Sequence, residues 1–519
     1  MMKRAAVVFC LAASVLSARA EFKVDRSAMS DAYWKIWNDA EQARIDADIE
    51  ANRKADARFE VEAPDGTEVK IEQIGSSFYF GAHAFNFDQL GTTERNRRYR
   101  ELFGTVFNSA TVAFYWKAFE PYPDCPRFAP DYGDSEAFWN SCKKPKEEAY
   151  WRRPAADGVV NFMRSRGVRV HGHTMIWSNF GWSMPRWIYD QFCPENEKKA
   201  LGLPRARDPF APPSVIDRQD RKEWIHACHQ LYKKYTPSEL AQLAPKWTER
   251  MRMLFEKRVT ELCRHYGDRI ASWDVVNESC LDWQRLKNAV TGEPLIFGGQ
   301  GIMPGDYACA AFRKAAAELP PEVKLNINDF VRTSDYPEQV KALLDVGCKI
   351  DVAGIQMHLF NPKYNAQLAN AEIDWWLPPS IRARIEPLVK LGLPVHVSEI
   401  TIPCNAENDA LGQMRQAVAA RDLYRLWFST KGVCGITWWN LVDDCGAPGE
   451  PLVSGLFTRD MQPKPAYHVL EDLILREWRT NLTVPVQNGK VAFRGFCGAY
   501  RLSWKGPDGT IISKTMEVQ

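Results

Sequence analysis

Trp273-Asp274-Val275-Val276-Asn277-Glu278 opens with residues of buried-strand character and ends in an amide and a carboxylic acid. A short apolar run bounded in this way reads as a strand covered on both faces, the habit of parallel sheets. The design recurs at Leu393-Pro394-Val395-His396-Val397-Ser398-Glu399. Further strand-like runs lie at 168–176, 323–327, 352–357 and 435–439, with helix-length segments between them. This strand-then-helix alternation runs from 78 to about 477 and predicts a parallel sheet. At roughly 400 residues, the α/β class is best met by a (β/α)8 TIM barrel.

Outside that region the pattern changes. Tyr33, Ile36, Trp37, Ala40, Ile45 and Ile49 recur at helical spacing, so a helix is expected over 31–58. Asp65-Gly66 sits between alternating runs at 58–63 and 67–71, a hairpin signal. After Asn481, short strands with Asn488-Gly489 and Asp508-Gly509 turns suggest a small β module, where Phe493, Phe496, Tyr500 and Trp504 are read as core. The expected division is a leader (1–20), a helix and β-hairpin extension (21–75), the barrel (76–478) and a C-terminal β module (479–519). The stretch from 188 to 272 is about twice what one loop and one helix need, so an insertion is placed near 188–247. Within it, 204–213 is rich in proline and charge, and 224–235 looks helical.

The leader has Lys3 and Arg4, an apolar run over 5–16, and Ala18-Arg19-Ala20 at the cut. A secreted or periplasmic protein is therefore expected. Cleavage would take the formal charge from +2 to −1, which leaves no broad cationic footprint for nucleic acid. No later run approaches a membrane span. Cys10 departs with the leader and leaves an even number of cysteines. One to three disulfides are expected, with Cys125–Cys142 and Cys434–Cys445 as candidate pairs. The 19 tryptophans are in excess, and flat rings that stack on sugars are the functional reading of that excess.

The C-terminal end of a barrel strand faces the site, so Asn277, Glu278 and Glu399 would meet a substrate together. Two carboxylates at two strand mouths are what glycoside hydrolysis requires. One protonates the leaving oxygen, and the other attacks the anomeric carbon or activates water.

The chain resembles glycoside hydrolase family 10, retaining β-1,4-xylanases on a (β/α)8 barrel, through motifs in the family's order. These are Phe80-Gly81, Phe107-Asn108, Trp116, Glu120-Pro121, Gly172-His173-Thr174-Met175-Ile176-Trp177 and Trp273 to Glu278. Leu325-Asn326-Ile327-Asn328-Asp329, Gly354-Ile355-Gln356-Met357-His358-Leu359, Pro394 to Glu399, Gly435-Ile436-Thr437-Trp438-Trp439 and Lys464-Pro465-Ala466-Tyr467 follow. The resemblance implies that Glu278 is the general acid/base and Glu399 the nucleophile. It implies that Asn277 bonds the sugar's 2-hydroxyl, that His173 and Trp177 line the wall beside the scissile bond, and that Trp439 is a stacking floor. His358 would keep Glu399 ionised and Gln356 would hold the neighbouring network. No metal or organic cofactor is implied. The expected partner is an oligo- or polysaccharide, with no nucleic acid and no membrane after leader removal, and the chain is expected to be a monomer.

The chain also departs from the family. Where family members carry a Glu-Asn pair and a lysine that grip the next sugar, it has Thr111, Val112 and Tyr115. Cys445-Gly446-Ala447 replaces a second stacking tryptophan, Ser178-Asn179-Phe180 stands where a histidine is usual, and Phe330 replaces a tyrosine. Sugar recognition beside the catalytic pair is thus expected to differ from that of a linear-xylan enzyme. Two other readings fit the same residues. One is a catalytically weak or inactive carbohydrate-binding barrel. The other is a metal-dependent amidohydrolase using His171, His173, His358, His396 and Asp443.

Overall fold

The computed structural model describes residues 20–148, 152–179, 183–185, 187–188, 194–202, 223, 226–227, 230–231, 233–285, 295–298, 301–330, 335–447 and 449–519. The leader and the 204–213 run lie outside the described residues, as do several positions of 224–235.

Eight parallel strands close into a barrel in chain order. They are β1 (Tyr79–His83), β2 (Ser109–Ala113), β3 (Arg169–Trp177), β4 (Ser272–Asn277), β5 (Lys324–Phe330), β6 (Val352–His358), β7 (Val395–Thr401) and β8 (Val433–Trp438). β8 closes on β1, with Gly435 opposite Tyr79 and Trp438 opposite Ala82. Strands β4 and β7 are buried at every position, which is why they read as continuous runs rather than alternations.

Helices seal the outer face. The Pro245–Tyr266 helix buries Trp247, Met251, Phe255, Arg258, Val259, Leu262 and Tyr266 along one stripe. Arg258 sits in that apolar stripe because its Nε donates to the Met175 carbonyl at 2.6 Å, close to where β3 shifts register. Such shifts fall between His173 and Ile176 on β3, Asp274 and Val276 on β4, Ile355 and Gln356 on β6, and Val397 and Ile400 on β7. Bulges of this kind turn side chains away from strict alternation and are common beside active sites.

The expected helix over 31–58 forms as two, Asp31–Ile36 and Asp39–Arg53, and then gives way to a strand, Lys54–Glu60. Ser30 and Asn38 each cap a new first turn, accepting from the amides of Tyr33 and Glu41. Tyr33 anchors the first helix by donating to buried Asp422 at 2.9 Å.

The hairpin does not form as expected. The chain turns at Asp65-Gly66, with Gly66 at φ +87°, but the flanking strands do not pair with each other. Lys54–Glu60 pairs antiparallel with Lys490–Phe496, and Glu68–Gln73 lies between Asn481–Pro485 and Gly498–Lys505. The C-terminal strands bring the apolar faces that the two N-terminal strands need. Val69, Ile71, Val491, Tyr500, Leu502 and Trp504 form one core, so the two ends of the chain share a β unit. Tyr500 and Trp504 are buried there, with Phe496 buried against the neighbouring core.

The candidate disulfides are absent as well. Cys125, Cys142, Cys434 and Cys445 are all free thiols, and Cys142 Sγ lies 3.6 Å from Glu148 Oε1 instead. Cys434 stands at the start of β8 and Cys445 beyond its end. That strand spans well over the ~7 Å that a disulfide tolerates between Cα atoms. Among the described residues, no helix is long and apolar enough to cross a membrane.

Candidate active site

Above the C-terminal ends of the strands lies a cavity of about 300 Å3. Glu278 and Glu399 both line it, together with Trp177, Gln356, His358 and Trp439. Six of the eight expected site residues therefore share one opening. His173 and Asn277, each 1% exposed, lie beneath it rather than on its wall. Burial of both strands at these positions puts the two side chains one layer down, where Asn277 accepts from cavity-lining Gln356 and His173 bonds buried Asp274.

Glu278 follows β4 directly and has a left-handed backbone, φ +52°, while its amide donates to the Asn328 carbonyl at 2.8 Å. A non-glycine residue persists there only when its surroundings impose it, and such strain gathers at functional sites. The next turn is imposed too, since the Cys280 amide donates to Asp329 Oδ2 at 2.8 Å. The Glu278 carboxyl accepts from Trp177 Nε1 at 3.2 Å and from Gln356 Nε2 at 3.1 Å. Burial, and then the nearby Glu399 charge, raise it from 4.5 to about 7, against the opposing pull of Gln356, His173 and His358.

Glu399 is held by donors on both oxygens. Asn328 Nδ2 donates to Oε1 at 2.6 Å, and His358 Nε2 lies 3.0 Å from Oε2. His358 is oriented in turn by Thr401, 2.8 Å from its Nδ1. Asn328 Nδ2 also lies 2.8 Å from Asn277 Oδ1, and Ser398 Oγ donates to Asn328 Oδ1 at 2.5 Å. Asn328 therefore ties the strand of one glutamate to the strand of the other. Gly354 makes room for it, since a Cβ there would come within 2.5 Å of Asn328 Oδ1.

His171 and His173 both bond Asp274 Oδ2, at 2.9 and 2.8 Å. Burial acts to raise Asp274, but the two histidines outweigh it and hold the carboxyl below its usual range. Burial would lower His173, but its bond to Asp274 and the charge of Glu399 raise it. Trp439 is fixed by ring contacts, with the His83 centroid 4.4 Å away and that of Phe85 5.1 Å away, both edge-on. Its Nε1 donates to Glu450 at 3.0 Å.

The side chains of the metal reading are occupied by other partners, His173 sharing Asp274 Oδ2 with His171. His171 bonds Asp274, His396 bonds Thr437, His358 bonds Glu399, and Asp443 pairs with Lys464. Among the described residues, no three His, Cys, Asp or Glu side chains are placed to hold one ion.

Sequence reading left several contributors out of the site, among them Asn328, Phe85, Phe360 and Glu450. For Asn328, a polar residue near a strand's C-terminal end was the available signal. Phe85 and Glu450 stand in loops after β1 and β8, where no periodicity marks a residue as facing the cavity.

An eight-stranded parallel barrel with two glutamates in one cavity above its strand ends has the architecture of barrel carbohydrate-processing enzymes. The family model described as Glycosyl hydrolase family 10 matches residues 133–239 and 219–473, and the chain belongs to that family. It is 26% identical over 328 residues to Endo-1,4-beta-xylanase A of Thermoanaerobacterium saccharolyticum, covering 61% of this chain and 22% of that protein. Identity is also 26% over 328 residues with Exoglucanase XynX of Acetivibrio thermocellus, covering 61% and 24%. The chain thus spans about a quarter of the length of these relatives. Native xylanase 10B from Thermotoga maritima superposes with a TM-score of 0.48 at 19% identity, covering 77% of this chain and 96% of that one.

Proposed function

We propose that this protein is an exported retaining glycoside hydrolase that cleaves β-1,4 bonds of xylan, or of a related plant or microbial β-glycan, by double displacement. One observation carries the reading. Two glutamates share a cavity, and one of them is raised to about 7 by burial and by the charge of the other. Opposed protonation states are what an acid and a nucleophile need.

In this scheme Glu278 protonates the glycosidic oxygen while Glu399 attacks the anomeric carbon, forming a glycosyl-enzyme and releasing the leaving sugar. Glu278, now a carboxylate, takes a proton from water, whose oxygen displaces Glu399 and yields a product of retained configuration. Asn277 Oδ1 accepts from Asn328 and Gln356, so from beneath the cavity it sets where those two side chains stand beside the glutamates. Trp439 lies under the sugar ring. The name of one relative supports xylan, and that of the other keeps glucan among the substrates. Export rests on the leader at 1–20, and secreted protein beginning at Glu21 would support it.

The test is hydrolysis of aryl β-glycosides and plant polysaccharides by wild type, Glu278→Ala and Glu399→Ala. Xylo-oligosaccharide release that disappears in Glu399→Ala, with a β-configured first product by NMR, is the expected result. Turnover that survives Glu399→Ala refutes the assignment of the nucleophile, and an α-configured first product refutes retention.

A further inference from the structure

We propose that Glu450 binds substrate at the β8–β1–β2 side of the cavity, selecting a neutral sugar there and rejecting one that carries a carboxylate. The inference rests on the glycosidase reading and names the class of sugar which that site accepts.

The wall on this side is apolar, as Thr111, Val112 and Tyr115 in place of a charged grip led one to expect. Thr111 and Val112 are each 3% exposed and do not line the cavity, whereas Tyr115 does. The Tyr115 ring stacks with Phe85 at 6.3 Å and 21°, and Phe85 meets Trp439 edge-on. Among the described lining residues on this side, Glu450 supplies the only carboxylate.

The loop is built to present that carboxylate. Trp439 Nε1 donates to Oε1 and the Ala447 amide to Oε2, each at 3.0 Å. Each oxygen keeps a second lone pair, so the group is aimed yet can still accept from sugar hydroxyls. Glycine at 446 leaves both side chains in place, because a Cβ there would lie 2.5 Å from Glu450 Oε2 and 2.9 Å from Asn440 Nδ2 and would displace the carboxylate. Asn440, 1% exposed and next to Trp439, has neither amide atom hydrogen-bonded.

Charge then decides what the place accepts. Glu450 and Glu399 face the same cavity; burial and the Glu399 charge push the Glu450 carboxyl up, while His358 and the bonds from Ala447 and Trp439 favour its carboxylate form. Sugar hydroxyls can donate to Glu450, whereas the carboxylate of a uronate can only accept and would add like charge in a poorly hydrated space.

The experiment compares neutral xylo-oligosaccharides with the same oligosaccharides bearing glucuronic acid, read as the acidic-to-neutral ratio of kcat/KM. In Glu450→Gln that ratio should rise at least about tenfold, because the repulsive element is gone. In Glu450→Asp, which keeps the charge, it should stay near the wild-type value while KM for the neutral substrate rises. An unchanged ratio in a folded Glu450→Gln protein overturns the inference. If that variant fails to fold, a Glu450→Asp ratio that climbs as far overturns it equally. Should wild type turn over neither substrate, the glycosidase reading fails by itself. Calorimetric binding of the two oligosaccharides to wild type and Glu450→Gln then decides the matter by the same ratio.

Discussion

Glu278→Gln should make the folded protein more stable in base while abolishing acid catalysis. The carboxyl stands at about 7 in the fold against an ordinary 4.5. Its charged form is therefore disfavoured on folding by roughly 3 kcal/mol, at about 1.4 kcal/mol per unit. Because the folded value is the higher one, the wild type keeps its full stability below about pH 4.5 and loses this amount as pH rises through about 7. Glutamine has nearly the same shape and no charge to lose. The gap between variant and wild type should thus be under about 1 kcal/mol near pH 5 and should approach about 3 kcal/mol near pH 8.5. Urea unfolding of both proteins at the two pH values measures it. The basic limb of the wild-type kcat/KM profile should fall in the same window, since only protonated Glu278 can serve as the acid. Parallel loss of stability in the two proteins with rising pH would refute the argument, because Glu278 would then not carry the strained charge.

Asn328→Ala removes the hydrogen bond to Glu399 and leaves Asn277 Oδ1 and Ser398 short of a partner. A hydrogen bond to a charged group is worth about 1.5–3 kcal/mol, so kcat/KM on an aryl β-xyloside should fall roughly 10- to 100-fold with circular dichroism unchanged. Gly354→Ala should act in the same direction, because its Cβ would push against Asn328 Oδ1. Lys464→Met leaves Asp443 buried without the ammonium that lies 3.1 Å from both its oxygens. Urea unfolding should show a loss of about 3–5 kcal/mol, the usual result of breaking one side of a buried pair. Mass spectrometry of unreduced, alkylated protein should find Cys125, Cys142, Cys434 and Cys445 as thiols, and a Cys125–Cys142 or Cys434–Cys445 bridge would contradict the fold around them.

The barrel was legible because strands buried on both faces produce apolar runs, and those runs end where polar residues meet the cavity. Glu278 and Glu399 stand at two such ends. The termini were less legible because a strand's partner is not written into its own residues. The run at 58–63 and the run at 67–71 each alternate as hairpin arms do, yet each pairs with strands more than 400 residues away. A local turn signal fixes where the chain bends, and the matching of apolar faces decides what it pairs with. The disulfides failed for a related reason. An even count of cysteines permits pairs, but thiols as close in sequence as Cys434 and Cys445 stay apart when a strand's length intervenes.

Within the site the same limit explains what was found and what was missed. Candidate residues could be listed one strand at a time, but their neighbours depend on register across strands. Asn277 lies opposite Asn328, and Gln356 lies opposite Glu399, so the two glutamates are joined by pairs that no single segment contains. Reaching those pairs from sequence requires the offsets at Ile355/Gln356 and Asp274/Val276, and a bulge leaves no periodic trace in a run already apolar throughout. Glu450 is harder still. It is presented by a loop whose clue is the Gly446 that leaves it room, and that clue has meaning only once the carboxylate's position is known. The chemistry of the strand ends can therefore be read residue by residue, whereas selectivity, which lives in the loops, is read from contacts.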